Sequence, residues 1–501
     1  MEIQLHKFAE PRLKFACGNT AEDPRDGLTI YGPFDKGKVE DFSVGIIGTS
    51  DGIAKTLKWL NKINKAVHHT SQDIAKPFFP GFEEVFHIKF NLTNIPTVLI
   101  DQDTLFELYK FDDNHIRVNE IVSLYAEALI EYVKEGEKKP QLWIVTIPDK
   151  VYNLCRPKSK IPKKGSIPVG IKDPYSRRNE GLFETDLMKR WREAYYYENH
   201  FHNQLKIRLL KYQILTQVLR EGTIAYQDDV TLSELKKNQR RQFDTAVAWN
   251  LATSMYYKVG GLPWKLADIR GGVCYVGLTF KKDETNLDPR WACCAAQMFL
   301  DSGDGIVFRG RVGPYYNPLT KEYHLTRERA KELLSKAVES FRKYNHTIPK
   351  EVFIHGKIYF DNEEWGGFEE AVDGEIKLIG IRIRHEKYFK LFRAETYPVL
   401  RGIGYIRNAR SAYLWTKGFI PRIQSVLGLE TPNPLDIRII RGDANILDVC
   451  QDIMALTKLN YNTCIFCDGN PVTLKFADAI GEILTAGPNE GLEILPFMYY
   501  I

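Results

Sequence analysis

Four polar residues in the middle of this chain have types and a spacing that suit the binding of a small anion. His202 and Lys206 are four residues apart, so on a helix their side chains share one face. Gln217 follows in a short apolar segment of strand character, and Lys258 ends the helical run TAVAWNLATSMYYK. Point cations and neutral donors can surround the oxygens of a terminal phosphate. The pattern predicts an anion site; the alternative is a solvated helix face beside an ordinary amphipathic helix.

The elements that must position these residues alternate between strands and helices. The buried strand FSVGIIG leads through a turn into the helix IAKTLKWLNKINKA, and the strands NIPTVLI and QLWIVTI flank the helix VNEIVSLYAEALIEYVKEG. Such alternation is typical of an α/β fold with a parallel sheet. Residues 156–182 are rich in Pro, Gly, Lys and Arg and are predicted to form a loop. The segment GLPWKLADIRGG predicts a domain boundary near residue 265.

The second half, residues 266–501, has a different order of elements. It begins with the strand VCYVGLTF and a hairpin within WACCAAQMFLDSGDGIVFRGRVG. The helix LTRERAKELLSKAVESFRKYN, the strand EVFIHG and further interleaved strands and helices follow. Strands first and helices afterwards, with a carboxylate on the first strand, is the order expected of an RNase H-like nuclease.

The positions that would hold catalytic metal ions lack carboxylates. Such nucleases use two divalent cations, whose protein ligands are Asp or Glu. Thr279 occupies the position on the first strand and Lys357 the position on the later strand, which leaves only Asp478. Because one carboxylate beside an ammonium group cannot hold two divalent cations, we expect no cleavage by this half. For Asp478 the alternative is a helix-start residue on a solvated face.

Composition limits the class of protein. The chain is 44% hydrophobic and 27% charged, which is typical of a soluble globular protein. Residues 200–265 hold ten Lys or Arg against five Asp or Glu, a local excess as large as the whole chain's net +5, and such a patch is compatible with a polyanion partner. No apolar run reaches the roughly 18 residues of a membrane span. Eight cysteines without a disulfide framework predict a cytoplasmic protein.

One pair of cysteines has the spacing of a metal motif. Cys464 and Cys467 form a C-x-x-C in the apolar stretch YNTCIFCDG, and no second Cys or His pair follows at zinc spacing. We interpret this stretch as a strand with core thiols rather than as a zinc site.

Several phrases together resemble a known family. The opening segments EPRLKF, DPRDGL and YGPF, the passage WNLATSMYYKVGGLPW with a Lys closely followed by Gly-Gly, and the late segments LTKLNYNT and PVTLKFAD stand in the order found in Argonautes. Over nearly its whole length the sequence resembles a short prokaryotic Argonaute, made of MID and PIWI domains only. The resemblance implies an α/β fold with a Rossmann-like MID domain over residues 1–265 and an RNase H-like PIWI domain over residues 266–501.

The resemblance assigns roles to individual residues. It implies a site for the 5′-phosphate of a guide strand formed by His202, Lys206, Gln217 and Lys258. In prokaryotic relatives Mg²⁺, held with the C-terminal carboxylate, also bridges this phosphate, and that role would fall to Ile501. Two departures stand out. His202 replaces a Tyr, which makes its charge dependent on pH, and Ser254 replaces a Gln that helps to hold the metal ion.

The resemblance also implies a function. Active Argonautes carry an Asp-Glu-Asp-Asp (or His) tetrad, and Thr279, Lys357 and Asp478 occupy its first, third and fourth positions, so the tetrad is expected to be lost. The second position falls between Tyr315 and His324 and is not assigned. A short Argonaute of this kind uses a small guide RNA to recognise invading single-stranded DNA. It then activates a partner protein, in a heterodimer, in which an APAZ domain is fused to a TIR, sirtuin-like or nuclease effector, as an antiviral, abortive-infection defence.

Two other functions stay open on the sequence. One is a metal-dependent nuclease whose carboxylates come from atypical positions, with Asp283, Glu284, Asp361 and Glu364 as candidates. The other is an α/β scaffold that binds nucleic acid without a guide. Cleavage assays separate the first from the inactive Argonaute, and a preference for 5′-phosphorylated strands separates either guided protein from the scaffold.

Overall fold

Two β-sheets organise this chain, and the central strands of each are largely buried. The protein is described by a computed structural model. The structure describes residues 4–39, 42–68, 74–88, 92–136, 138–159, 166–169, 185–224, 244–283, 291–299, 305–319, 321–372, 374–429, 431–488 and 495–501. Most of the predicted basic loop at 156–182, and residue Glu284, lie outside these ranges.

Strands alternate with helices over residues 44–258, whereas runs of consecutive strands occupy residues 265–323 and 377–441. In chain order the strands are β1 (Gln4–Lys7), β2 (Leu13–Lys14), β3 (Thr20–Ala21), β4 (Val44–Gly48), β5 (Thr97–Leu99), β6 (Leu142–Ile147), β7 (Thr216–Arg220), β8 (Lys265–Leu266), β9 (Val273–Lys282), β10 (Trp291–Phe299), β11 (Gly305–Pro314), β12 (Tyr316–Asn317), β13 (Glu322–Tyr323), β14 (Glu351–Gly356), β15 (Lys377–His385), β16 (Ile403–Asn408), β17 (Ser411–Leu414), β18 (Gly418–Ile420), β19 (Ser425–Leu427) and β20 (Leu435–Arg441).

Helices fill the connections between these strands. In chain order they are α1 (Pro24–Tyr31), α2 (Ser50–Ile63), α3 (Phe82–Phe86), α4 (Gln102–Leu108), α5 (Asn114–Glu135), α6 (Asp149–Leu154), α7 (Asp186–Glu193), α8 (Phe201–Leu210), α9 (Glu221–Ile224), α10 (Asp244–Lys258), α11 (Arg327–Asn345), α12 (Asn362–Glu370), α13 (Ile446–Leu456) and α14 (Val472–Leu484). None of the helices in the described ranges is both long and apolar enough to cross a lipid bilayer.

The first sheet has four parallel strands in the order β5-β4-β6-β7. Strands β4 and β6 are buried at every residue, which is typical of a parallel sheet covered on both faces. The turn after β4 is closed by the Thr49 side chain, whose Oγ1 accepts a hydrogen bond from the Gly52 amide at 3.1 Å and begins α2. This is the α/β half with a parallel sheet that the β-turn-α pattern predicts, and it agrees with the Rossmann-like fold that the resemblance implies.

The second sheet has nine strands in the order β1-β16-β17-β20-β15-β14-β9-β10-β11. Strand β14 runs parallel to both β9 and β15, whereas the outer strands pair antiparallel. Helix α14 packs against β9 and β10, and α11 packs beside α12. The chain first forms antiparallel strands and then adds a parallel central strand, and helices cover the sheet. This order agrees with an RNase H-like fold. The predicted α/β class with these two halves is confirmed.

The two halves share one apolar core. The largest buried cluster contains Leu210 and Trp249 from the first half together with Ile381, Ile453 and Leu484 from the second. Strand β1, at the start of the sequence, pairs with β16 in the nine-stranded sheet. The division into domains at residue 265 therefore stays a prediction.

The predicted strand around Cys464 and Cys467 is wrong. Residues 461–469 form an irregular loop, although both thiols are buried as expected. The Asn460 amide fixes this loop, because its Nδ2 donates to Thr463 at 2.8 Å and to Asp468 at 2.6 Å. Side-chain hydrogen bonds replace the strand pairing that the apolar pattern alone predicts.

Helix α14 approaches β9 so closely that only glycine fits at residue 277. A Cβ atom on Gly277 would lie 2.1 Å from the Thr473 main-chain oxygen. Gly277→Ala should therefore lower the free energy of unfolding by about 1–3 kcal/mol, the range typical of overpacked cores. Urea denaturation of the two proteins measures this difference.

Gly271→Ala is the matched control, because no atom lies within 4 Å of the added methyl group. Equal stability of the two variants would show that α14 does not press against β9 in this way.

Candidate functional site

The two predicted lysines meet at one main-chain carbonyl. Lys206 lies in α8 and Lys258 is the last residue of α10. Their ammonium groups donate to the Thr216 main-chain oxygen, at 2.8 Å from Lys206 and 3.1 Å from Lys258. Helix α10 ends there because Gly260 adopts a positive φ of 95°, which a residue with a Cβ rarely adopts. The structure thus brings together two cations that are far apart in the sequence.

Gln217 joins the same group from the start of β7. Its Oε1 accepts a hydrogen bond from Lys258 at 2.7 Å and lies 3.1 Å from the Ser254 hydroxyl. The Ser254 hydroxyl also lies 2.9 Å from Asn462 Oδ1. Asn462 belongs to the loop after α13, so the second half of the chain contributes to the site. In the sequence, the signal that could have indicated a role for Asn462 is its polar side chain within an apolar segment.

Ile501 also reaches this site. The residue is buried and follows a 3-10 helix over Phe497–Tyr500. One of its main-chain oxygens accepts a hydrogen bond from Lys206 at 2.5 Å. Stacking of Phe476 on Phe497, with ring centroids 3.9 Å apart, holds this segment against α14.

His202 lies in the first turn of α8 but makes no hydrogen bond to the lysines. Its Nδ1 is 3.1 Å from Asn203 Oδ1. Burial, together with the charge of Lys206, lowers the pKa of His202 to about 3. A lowered pKa favours the neutral imidazole, and the dependence of its charge on pH stays a prediction. A neutral His202 can donate one hydrogen bond or stack on a ring.

Burial dominates the electrostatics of the two lysines. It lowers the pKa of Lys206 to about 7, and it lowers the pKa of Lys258 as well, with a further contribution from the charge of Lys206. In the part of the chain that the structure describes, no acidic side chain contacts either ammonium group. Such a pair is stabilised in its charged form by a bound anion, and a terminal phosphate presents the required charge and acceptors.

Magnesium at this site stays a prediction. Mg²⁺ requires oxygen ligands, of which one or two are normally carboxylates. The oxygens here belong to Thr216, Gln217, Asn462 and Ile501, and the carboxylate of Ile501 is the ligand that the resemblance implies. Ammonium groups already donate to Thr216, Gln217 and Ile501. Ser254 stands where the resemblance expects a metal-holding Gln, so the two lysines supply the positive charge that the described residues show at this site.

The three residues that the resemblance assigns to the tetrad lie together at the ends of the central strands. Lys357 follows β14 and forms an ion pair with Asp478 of α14. The register that pairs Gly356 with Leu278 brings Lys357 opposite Thr279. An ammonium group thus neutralises the single carboxylate. Glu322 is the acidic residue between Tyr315 and His324, the interval in which the second tetrad position is expected. Its carboxylate lies 3.2 Å from an Arg384 nitrogen, so it is paired as well.

A second group of possible metal ligands lies nearby. Ligand atoms of His324, Asp361 and Glu364 all fall within 4.8 Å of one another, which sequence spacing did not reveal. Both carboxylates of this group already have structural roles. Asp361 accepts from the Glu364 amide at 2.7 Å and caps α12, while Glu364 accepts from the Leu325 amide at 3.1 Å. Asp361 and Glu364 were candidates for an atypical nuclease site; Asp283, which follows β9, does not join them.

The Lys206 pKa predicts how stability depends on pH. Folded, Lys206 loses its proton above about pH 7, whereas in the unfolded chain it keeps the proton to about pH 10.5. Between these values the unfolded state binds more protons, so the free energy of unfolding should rise with pH. Lys206→Met should flatten this rise, as measured by urea denaturation at pH 7, 8 and 9.

Lys211→Met is the control, because Lys211 is exposed at the end of the same helix. Parallel pH profiles for wild type and Lys206→Met would contradict the lowered pKa of Lys206.

Comparison with known proteins gives matches in structure only. No protein-family profile and no curated protein sequence matches this chain. Clostridium butyricum Argonaute bound to a guide DNA and a 19-mer target DNA matches with a TM-score of 0.64 and 17% identity, over 99% of this chain and 55% of that one. A. aeolicus Argonaute gives 0.57 and 16%, over 99% and 55%. Drosophila Piwi gives 0.60 and 11%, over 100% and 56%.

These matches extend over both sheets described above. The chain spans just over half the length of the solved structures it matches. At such low identity the likeness concerns the arrangement of the chain and not its activity. The fold of this protein is the one shared by Argonaute and Piwi proteins.

Proposed function

We propose that this chain anchors the 5′-phosphate of a small guide RNA and uses the guide to recognise complementary single-stranded DNA. The observation that carries the proposal is the convergence of Lys206 and Lys258 on the Thr216 carbonyl, with Gln217 beside them. Two buried cations without an acidic side chain beside them among the described residues suit a terminal phosphate, which carries charge that an internal phosphodiester lacks. A similar structure, Clostridium butyricum Argonaute, holds a guide and a target strand.

Recognition of the target follows from base pairing. The protein holds the guide by its end and backbone, and the exposed bases select the complementary strand. His202 fits a contact with the first base, because a neutral imidazole can stack on a ring. In this proposal the local excess of basic residues at 200–265 attracts the strand, and the neutral and cationic donors fix its end.

A chain that binds but does not cut acts through a second protein. We propose that this partner carries an APAZ domain fused to a TIR, sirtuin-like or nuclease effector, and that target pairing activates it in antiviral defence. The Lys357–Asp478 ion pair supports the first step, because it leaves no free carboxylate at the tetrad positions described. Activation then requires only that the target-bound state binds or releases the effector differently from the free state.

Loss of both lysines should abolish selection of the phosphorylated end. Charge-assisted hydrogen bonds contribute about 1.5–3 kcal/mol each, so Lys206→Ala with Lys258→Ala should weaken binding of a 5′-phosphorylated RNA by about a hundredfold or more. Binding of the same RNA with a 5′-hydroxyl should change little, which also reports that the variant is folded. Fluorescence anisotropy with matched RNA and DNA strands measures both and identifies the preferred guide.

Lys189→Ala with Lys211→Ala removes two exposed lysines from the same half and is the matched control. A Lys206/Lys258 variant that still prefers the 5′-phosphate as wild type does would overturn the assignment of the site.

A nuclease remains the second candidate because of the His324, Asp361 and Glu364 group. An inactive site predicts that the guide-loaded chain leaves a complementary strand intact with Mg²⁺ or Mn²⁺, as judged on a denaturing gel. Cleavage at a fixed distance from the guide 5′ end would contradict it. Cleavage that disappears in Glu364→Gln but persists in Glu363→Gln, its exposed neighbour, would assign the activity to this group.

A further inference from the structure

One face of the nine-stranded sheet carries arginines where the opposite face carries core residues. Along β15 the buried Ile381 and Ile383 alternate with Arg382 and Arg384, as the period of a strand requires. On the neighbouring strand β20 the same alternation places Asp436 and Arg438 on the arginine side. The register pairs Arg382 with Arg438, so the cations stand side by side across the strands.

Three guanidinium groups on this face share one carboxylate. The Asp436 carboxylate lies 2.6 Å from Arg382 Nη2, 3.0 Å from Arg438 Nε and 3.4 Å from Arg407 Nη1. A single negative charge therefore faces three positive charges. Arg382 is itself buried, whereas the side chains of Arg407 and Arg438 are about one-third exposed, at 31% and 35%. The excess charge is thus open to solvent.

A groove of about 600 Å³ opens beside these arginines. Its lining includes Tyr359, Arg407, Asn408, Arg410 and Arg438. The Arg410 side chain is held in place by main-chain oxygens of two other residues. Its Nε donates to the Ile439 oxygen at 3.1 Å, and its Nη2 donates to the Gly442 oxygen at 2.9 Å. The Tyr359 hydroxyl accepts from Arg438 Nη1 at 3.4 Å and orders the other wall.

The acidic groups at the groove do not cancel this charge. Asp443 lies 4.0 Å from Arg410, but its side chain is 92% exposed, so the pair is solvated and weak. Arg384 is directed away, since it pairs with Glu322. The groove therefore retains ordered, accessible guanidinium groups whose planar donors match the oxygens of a phosphodiester.

We propose that this arginine groove binds backbone phosphates of a nucleic-acid strand at a site separate from the 5′-phosphate pocket. The proposal rests on the nucleic-acid function above but not on the lysine site. Arg407 of β16, Arg410 of the turn after it and Arg438 of β20 present several cations along one groove, which is complementary to successive phosphates along a strand. The groove would bind strands irrespective of sequence and would hold them beyond their anchored end.

The test uses Arg407→Ala with Arg410→Ala in the full chain. Anisotropy is measured with a 5′-phosphorylated RNA of about 20 nucleotides, alone and annealed to complementary DNA, and with a 5′-phosphorylated dinucleotide, over a range of salt concentrations. The variant should bind the long strand or the duplex on the order of tenfold more weakly. The slope of log K against log salt should fall by about 0.7 for each single-strand phosphate that the variant no longer neutralises. Binding of the dinucleotide should not change.

Two controls separate the possible causes. Arg342→Ala with Lys343→Ala removes the same charge from the exposed end of α11 and should leave the slope unchanged. Arg407→Lys with Arg410→Lys keeps the charge and should restore most of the slope. Thermal unfolding checks that the Arg407/Arg410 variant is folded. Loss of dinucleotide binding in a variant that unfolds at the same temperature as wild type would overturn a separate site.

Unchanged strand affinity and salt slope would also overturn the proposal. If the variant instead loses binding only to poly-glutamate, used as a probe of an acidic protein segment, the groove is a protein contact and not a nucleic-acid site. A wrong assignment of the lysine site gives a different result. The preference for a 5′-phosphate would then not depend on Lys206 and Lys258, while strand affinity would still depend on Arg407 and Arg410.

Discussion

Two buried ammonium groups that share one carbonyl constrain the rest of this structure. Lys206 and Lys258 are held by α8 and α10 with their charges directed at the Thr216 oxygen. Burial disfavours the charged form, and each charge disfavours the other, so the folded chain without an anion is destabilised at this point. Binding of a phosphate removes part of that cost and stabilises the folded state. Residues that lower stability in the free protein are typical of binding sites.

The surrounding fold keeps these lysines in place from both halves of the chain. Trp264 Nε1 donates to the Lys458 oxygen at 3.0 Å, and the Tyr461 hydroxyl donates to the Trp264 oxygen at 2.9 Å. A buried Arg401 pairs with Glu10 at 2.9 Å, which ties the start of the chain to the second sheet. These contacts join the Rossmann-like and RNase H-like halves into one core. The position of the two lysines relative to the nine-stranded sheet is therefore defined by packing.

The second half combines an RNase H-like arrangement of strands with an ion pair at the ends of its central strands. The central strands keep the parallel arrangement that brings the ends of β9 and β14 together, and α14 crosses beside them. At their meeting point Lys357 and Asp478 form an ion pair, which requires no metal ion for charge balance. Fold alone does not imply function, because the chemistry lies in the side chains at the site. Here those side chains are an ammonium group and a carboxylate that neutralise each other.

The sequence by itself determined the elements and the residue types. Its periodicity predicted both sheets, and its lack of acids at Thr279 and Lys357 was visible without coordinates. These features are local, since strand and helix periods extend over only a few residues. Tertiary structure alone decided that two lysines 52 positions apart share the Thr216 oxygen, that Asn462 joins them, and that arginines from three strands surround Asp436. Such groups depend on packing between distant segments, and packing also sets the burial that shifts their charges.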